Sequence, residues 1–303
     1  MISASNPVRH TSAAEFLENL SPTNARFGHG DWIFRGQSRD LPLLPTAFRE
    51  GRLPPIRSRA WTNWTNWDQA RAEFKLIHQF YSTADRAGLA IPEDSYDIRL
   101  LLETIEDDRE RFVAEWPPGR LRSLIALAQH HGIATRLLDF THSPWTAAYF
   151  AAESVLDSTP AERDERLIVV WAFDAAQSSA SMPDDEDTTQ SSRPGGIVEV
   201  VTTPYANNRN LAAQRGIHLL YRSPKPLKAT DIVLRNPLDD ALQRVHATVI
   251  DYTKALYKFT LPATEAGPLL RLVARYGVTG ATMFPGFDGV ARAMRERRLW
   301  LFR

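Results

Sequence analysis

The chain has 303 residues, of which 43% are hydrophobic and 24% charged, so it can bury a sizeable core and is not a wholly disordered chain. Its 36 basic and 36 acidic side chains give a formal net charge of +0, which does not point to nucleic acid or an anionic membrane as a partner. Cysteine is absent, which excludes disulfides, thiolate catalysis and cysteine-ligated zinc.

The sequence gives no sign of membrane insertion or secretion. No apolar run approaches the ~18 residues that are needed to span a bilayer. The first twenty residues, MISASNPVRHTSAAEFLENL, lack the apolar core of a signal peptide. We therefore expect a cytoplasmic protein with no membrane partner.

The N-terminal half is predicted to be mainly helical, with one strand. A short helix begins near Ser12, where serine and threonine precede apolar positions at helical spacing. The segment DWIFRGQ predicts a strand that places Arg35 and Gln37 on one face and Gly36 on the other. Apolar residues recur at three- and four-residue spacing over 68–87, 96–104 and 120–131, and this spacing predicts three further helices.

The stretch QHHGIATRLLDFTHSPWTAAYFAAE, residues 129–153, combines polar and apolar residues in an unusual way. Ser143 followed by Pro144 predicts the start of a buried helix that runs to about Val155, and its N-terminus suits an anion. Arg136 and Asp139 flank two leucines, so both charged groups are expected to need partners. Either the two satisfy each other and fix the loop, or one or both face a pocket at the helix N-terminus.

A metal site is the other interpretation of this stretch. His130, His131 and His142 would supply imidazole ligands. However, adjacent histidines on a helix point in different directions, and the HExxH pattern is absent. No metal is therefore expected.

The C-terminal half is predicted to alternate strands and helices. Segments rich in β-branched residues predict strands over 165–174, 196–203 and 255–262, and helical patterns follow at 265–277 and 288–300. Residues 175–194 are polar and acidic, which predicts a mobile loop. Irregular alternation of this kind favours an α+β fold, with one domain over residues 1–303 and a mixed or antiparallel sheet flanked by helices.

Four stretches, taken together and in order, resemble a known family. They are WIFRGQSRDLPLLPTAFR, LIALAQHHGIATRLLDFTHSPWTAAYFAA, NLAAQRGIHLL and ATMFPGFDGVA, and they resemble the FRG domain, a bacterial and phage-associated domain. Its name comes from a Phe-Arg-Gly triplet, here residues 34–36, and the resemblance runs over about 32–291. His131 departs from the family pattern, which usually has an aromatic or small residue there. The resemblance implies an effector from a toxin or phage-defence locus.

A more distant resemblance is to ADP-ribosyltransferases, which carry an aromatic-Arg-Gly element on their first core strand. IFRG is similar to that element, which implies that Arg35 holds a phosphate of NAD and that Gln37 or Thr141 orients its ribose. The usual late-strand glutamate motif is missing, and Glu199 is the one strand-like glutamate that could stabilise positive charge on the ribose. In this interpretation Asp139 braces Arg136.

These patterns predict a site between the strand of Arg35 and the helix that begins at Ser143. The predicted ligand-binding residues are Arg35, Gly36, Gln37, Gln129, His130, Arg136, Thr141, Ser143 and Gln214, and the predicted catalytic residues are Glu199 and Asp139. The expected ligand is an anionic small molecule, with NAD as a substrate and a protein or nucleic acid as a target. The alternative is a non-catalytic domain that senses a ligand or binds another protein through the same pocket.

Overall fold

The computed structural model describes residues 7–56, 59–103, 108–155, 157–178, 198–203, 205, 208–222, 228–244 and 255–301. This part of the chain holds seven strands in one sheet: β1 Val8–Arg9, β2 Trp32–Gln37, β3 Leu137–Thr141, β4 Leu167–Asp174, β5 Val198–Val201, β6 Gly216–Tyr221 and β7 Leu256–Pro262. The strand order is β1-β7-β4-β2-β3-β6-β5. The β1–β7 pair is parallel and the other pairs are antiparallel, so the sheet is mixed.

The same residues form twelve α-helices, which lie beside the sheet. They are α1 Ala13–Leu20, α2 Asn66–Arg86, α3 Tyr96–Glu103, α4 Arg109–Glu115, α5 Arg122–His130, α6 Pro144–Glu153, α7 Pro160–Asp164, α8 Arg209–Ala213, α9 Leu238–Arg244, α10 Ala266–Arg275, α11 Gly280–Met283 and α12 Phe287–Leu301. A mixed sheet flanked by helices confirms the predicted α+β class. Among the described residues, no helix has both the length and the apolarity that a membrane crossing requires.

The predicted start of the buried helix is confirmed by its cap. Ser143 is the N-cap of α6, and its hydroxyl accepts a hydrogen bond from the Thr146 amide at 3.2 Å. Pro144 occupies the first helical position, where its missing N–H leaves no hydrogen bond unmade. Alanines at 147, 148, 151 and 152 are all buried, so α6 packs closely against the sheet.

The segment before this helix differs from its prediction. Arg136 and Asp139 are expected to lie in a loop before the helix, whereas the structure shows Leu137–Thr141 as the strand β3 in the interior of the sheet. Leu137 and Leu138 point to opposite faces and are both buried, because helices and loops cover the sheet on both sides. A strand covered on both faces has no apolar-polar alternation to reveal it.

Two hydrophobic clusters cover one face of the sheet side by side. The first packs α1, α6 and α10 on β2, β4 and β7, and the second packs α2 to α5 on β3 and β6. The register pairs Phe34 with Thr141 and Leu137 with Leu220, which places both clusters on the same face. The opposite face carries a third cluster that includes Ile33, Leu138 and Trp171.

The loop predicted over 175–194 falls mostly outside the described residues. Its first four residues, Ala175–Ser178, form a turn of 3₁₀ helix directly after β4. Residues 179–194 are not described, so the prediction of a mobile loop stays a prediction.

Candidate ligand-binding cleft

A cleft of about 970 Å³ opens between two hydrophobic clusters on the same face of the sheet, the one on β2, β4 and β7 and the one on β3 and β6. Gly36, Asp139, Thr141 and His218, from β2, β3 and β6, lie at its floor, and residues of α5, α6 and α8 line it as well. This volume is at the upper end of the roughly 300–1,000 Å³ that is typical of sites for small molecules and cofactors. The cleft is therefore large enough for a dinucleotide.

The cleft follows a discontinuity in the sheet. β2 pairs with β4 along six positions and β3 pairs with β6 along five, but β2 and β3 pair at Phe34 and Thr141. The side chain of Arg35 reaches β3 near this point, and its Nη1 donates to the carbonyl oxygen of Asp139 at 2.7 Å. Arg35 thus joins the two halves of the sheet where the strand pairing ends.

Arg35 provides a largely buried positive charge at the cleft. Its side chain is 18% exposed, and Nη1 lies 3.8 Å from Oδ2 of Asp139. Its Nε is buried and makes no hydrogen bond to the described residues. Burial lowers the pKa of Arg35, and the nearby Asp139 raises it again in part, but an arginine keeps its charge at any physiological pH. A buried cation with an unused donor favours an anionic partner.

Asp139 lies at the centre of a polar cluster in the cleft. Its carboxylate accepts a hydrogen bond from Nε2 of Gln129, and Oε1 of Gln129 accepts in turn from the hydroxyl of Thr135. Nε2 of His218, directly opposite on β6, lies 3.6 Å from Oδ1 of Asp139. The Asp139 side chain is 64% exposed, so a ligand can reach the carboxylate.

Arginines give the cleft an excess of positive charge. Arg35, Arg39, Arg49 and Arg209 line it, and Asp139 is the one acidic side chain among the described lining residues. Three histidines, His130, His131 and His218, line the cleft as well. A chain of zero net charge therefore concentrates positive charge at this cleft, which suits an anionic ligand.

The structure brings eight of the eleven predicted site residues together. Those that line the cleft are Arg35, Gly36, Gln37, Gln129, His130, Asp139, Thr141 and Gln214. Several of them hold one another in place: the hydroxyl of Thr141 donates to the carbonyl oxygen of Gln214 at 2.7 Å. The Gln37 side chain accepts from the indole N–H of Trp171 at 2.8 Å. Ser143 lies outside the lining because its side chain caps α6.

Arg136 differs from its predicted role. Its Nε donates to both carboxylate oxygens of Glu73 on α2, at 2.9 and 2.7 Å, and both side chains are buried. The prediction that Asp139 braces Arg136 is therefore wrong. Arg136 lies against Glu73 and the ring of Phe48 and is not among the residues that line the cleft, whereas Asp139 points into the cleft with Gln129 and His218.

Glu199 also lies apart from the cleft. It is on β5, at the edge of the sheet, and forms ion pairs with Arg122 and with Nη2 of Arg222, the latter at 3.2 Å. Its carboxylate is thus engaged in holding the edge strand. This position gives no support to a catalytic role, and none of the described cleft-lining residues is a glutamate.

Sequence reasoning missed several residues of the cleft, of which His218 is the most informative. It lies in the apolar run GIHLLY, which was not predicted as a strand. A lone histidine among aliphatic residues was the available signal, but its meaning depends on the pairing of β6 with β3. Arg39, Arg49 and Arg209 come from loops or a short helix, and no local pattern marks them.

Burial lowers the pKa of His218, so the imidazole is neutral at neutral pH. Asp139 raises this pKa and His130 lowers it, but both effects are smaller than the effect of burial. The other ring nitrogen, Nδ1, is buried and makes no hydrogen bond to the described residues. Among those residues, no group of three or more histidine, aspartate and glutamate side chains is arranged to hold a metal ion.

We predict that stability falls as the pH drops below the ordinary histidine value of 6.5. In that window the unfolded chain binds a proton at position 218 that the folded protein does not, so acid favours unfolding. Urea titrations between pH 5 and 8 should show the free energy of unfolding decreasing toward pH 5, and less steeply in His218→Gln. Some dependence should persist, because burial also lowers the pKa of His10 and His130. An equal slope in both proteins would contradict the assignment to His218.

Comparison with known proteins supports the resemblance of the N-terminal half. A family model described as the FRG domain matches residues 30–159, which include β2, α5, β3 and α6. The match ends before β6 and Gln214, so the longer extent, to about residue 291, stays a prediction. No curated protein and no solved structure matches the chain. Because the match includes the Phe-Arg-Gly triplet and the strand and helix on either side of the cleft, residues 30–159 of the chain form an FRG domain.

Proposed function

We propose that the protein is a cytoplasmic FRG-domain effector that binds an anionic nucleotide, with NAD as the leading ligand, in the cleft between α5 and α6. One observation carries the proposal: Arg35, a mostly buried arginine with an unused Nε, is beside a large cleft that other arginines also line. A guanidinium binds phosphate through paired donors, so Arg35 is the residue that would contact the phosphates. The volume of the cleft supports a dinucleotide over a smaller anion.

The chemistry that fits such a ligand is the transfer of ADP-ribose. The bond between the ribose C1′ and the nicotinamide nitrogen breaks, and its electron pair leaves with nicotinamide. A nucleophile on the target forms a bond to C1′ and gives up its proton to a base or to water. Asp139 is the carboxylate in the cleft that would stabilise the positive charge on the ribose, and Gln37 and Thr141, which also line the cleft, are the residues that would orient its hydroxyl groups.

A second function is favoured by one observation. The described lining contains no glutamate, and Glu199 is held in ion pairs at the sheet edge. Without a catalytic glutamate the cleft would bind a nucleotide without cleaving it. The protein would then sense the nucleotide or present it to a protein partner. Incubating NAD with the purified protein, alone and with cell extract, separates the two functions, because only an enzyme releases nicotinamide.

Replacing Arg35 with lysine tests the binding proposal. Arg35→Lys keeps the charge but loses the paired donors, so it should weaken the binding of NAD or ADP-ribose about tenfold or more, roughly 1.4 kcal/mol. Isothermal titration calorimetry gives the affinities, and a melting curve of each protein shows whether the fold is retained. We expect the melting temperature to change little.

The matched control is Arg120→Lys. Arg120 is an exposed arginine that pairs with Asp97 at 3.2 Å outside the cleft, so this variant should bind as tightly as the wild type. If the wild type binds no nucleotide, the proposed function is wrong. If Arg35→Lys mainly unfolds the protein, Arg35 is a structural residue that joins β2 and β3.

A further inference from the structure

Asp139 is unexpected in a cleft that suits an anion. A carboxylate repels phosphate, and this one is 64% exposed within a lining that contains four arginines. The described lining has no other acidic side chain. A ligand that was negative over its whole length would bind better without Asp139. A ligand that carries a positively charged group close to its phosphates would compensate for this repulsion.

The surroundings of Asp139 fix the position of its carboxylate. Gln129 donates a hydrogen bond to it and is itself held by Thr135. His218 lies on the paired position of β6, 3.6 Å away, and its imidazole is neutral at neutral pH because burial lowers its pKa. His218 therefore leaves the negative charge of Asp139 uncancelled. Nη1 of Arg35 is 3.8 Å from Oδ2 of Asp139, but this nitrogen donates its hydrogen bond to the backbone carbonyl of Asp139.

Opposite charges thus alternate over a short distance along the cleft. Arg35 and Asp139 present a cation and an exposed anion less than 4 Å apart, and Arg39, Arg49 and Arg209 add positive charge around them. The complementary ligand carries phosphates and, close to them, a positively charged ring. Among nicotinamide dinucleotides this description fits the oxidised form, whose pyridinium ring is cationic, and not the reduced form, whose dihydropyridine ring is neutral.

We propose that Asp139 is a specificity-determining residue that makes the cleft select a pyridinium dinucleotide, NAD⁺, over NADH and over nucleotides that lack a cationic ring. This inference rests on the proposed function, because it concerns the same cleft and its nucleotide. Gln129, which donates a hydrogen bond to the carboxylate, is a positioning residue that acts through Asp139. The neutral amide of asparagine has nearly the same shape as the carboxylate, so Asp139→Asn removes the charge with little change in packing.

The test compares NAD⁺, NADH and ADP-ribose by calorimetry on the wild type and on Asp139→Asn. The wild type should bind NAD⁺ at least tenfold more tightly than NADH. In Asp139→Asn the two affinities should become similar, while ADP-ribose binds as tightly as before or more tightly. Asp97→Asn, an exposed aspartate outside the cleft, is the matched control and should keep the wild-type preference. If the protein consumes NAD⁺, its carbocyclic analogue, which retains the pyridinium charge, replaces it.

The outcomes separate this inference from the proposed function. Equal binding of NAD⁺ and NADH by the wild type overturns the selectivity and leaves nucleotide binding intact, and this comparison needs no variant to fold. A preference that survives in Asp139→Asn overturns the role of Asp139. If none of the three molecules binds, the proposed function fails and this inference fails with it.

Discussion

Replacing Glu73 with alanine is expected to lower the free energy of unfolding by about 3–5 kcal/mol. Glu73 is buried on α2 and accepts hydrogen bonds from Arg136, from the indole N–H of Trp116 at 2.9 Å and from the amide of Gln69 at 2.6 Å. The alanine variant would leave the guanidinium of Arg136 buried without its counter-ion. A stranded buried charge costs far more than the loss of one surface ion pair.

Urea unfolding followed by circular dichroism measures this loss, and Glu115→Ala is its control. Glu115 pairs with Arg111 on the surface of α4, where both side chains are more than half exposed. Losing that pair should cost about 0.5 kcal/mol or less. Glu73→Gln should fall between the two, because it removes the charge but keeps most of the volume. Similar losses in the two alanine variants would show that the Arg136–Glu73 pair contributes no more than a surface pair.

Gly36→Ala is the second variant for which we expect a large loss, about 3 kcal/mol or more. A Cβ at this position would lie 1.9 Å from the carbonyl oxygen of Ala147 and 2.8 Å from the amide nitrogen of Ala151. Both atoms belong to the backbone of α6, so no side-chain rotation can relieve the overlap. The helix would have to move away from β2, and the alanine packing beneath the cleft would open.

Gly119→Ala is the control for this prediction. The nearest atom to a Cβ there is in the Arg122 side chain at 3.7 Å, which is an ordinary contact. Its backbone does not require glycine, so the variant should be neutral or slightly more stable. Melting temperatures of the two variants make the comparison. A Gly36→Ala protein that melts like the wild type would mean that α6 and β2 are not packed backbone to backbone.

Local sequence patterns were sufficient to predict the helices and strands whose caps or apolar spacing lie within the element itself. Ser143 and Pro144 mark the start of α6, because a cap and a first-turn proline act within one helical turn. The strand alternation around Arg35 gave β2 and its two faces correctly. The helices predicted over 68–87 and 96–104 lie within two residues of α2 and α3. In each case the information is contained in a window of about ten residues.

Partners that are distant in sequence could not be predicted in this way. Arg136 pairs with Glu73, which is 63 residues away, and Arg35 contacts Asp139, which is 104 residues away. The sequence showed that Arg136 and Asp139 needed partners, but it placed them together because they are close in the chain. They lie three residues apart across the start of β3, and the strand directs them to different neighbours. His218 became part of the site only through the register of β6 against β3.

The glycine–alanine contact beneath the cleft determines which of its properties are free to change. The distance between α6 and β2 is set by the contact of Gly36 with Ala147, and Ala147 belongs to the buried core. Three arginines at the rim of the cleft, Arg39, Arg49 and Arg209, come from loops and a short helix, and Arg39 and Arg209 are exposed. Mutation can therefore alter the chemistry of the rim at little cost to folding, whereas a wider or narrower cleft would require simultaneous changes in the core. We therefore expect related proteins to differ in ligand preference through the side chains around the cleft, while the width of the cleft stays the same.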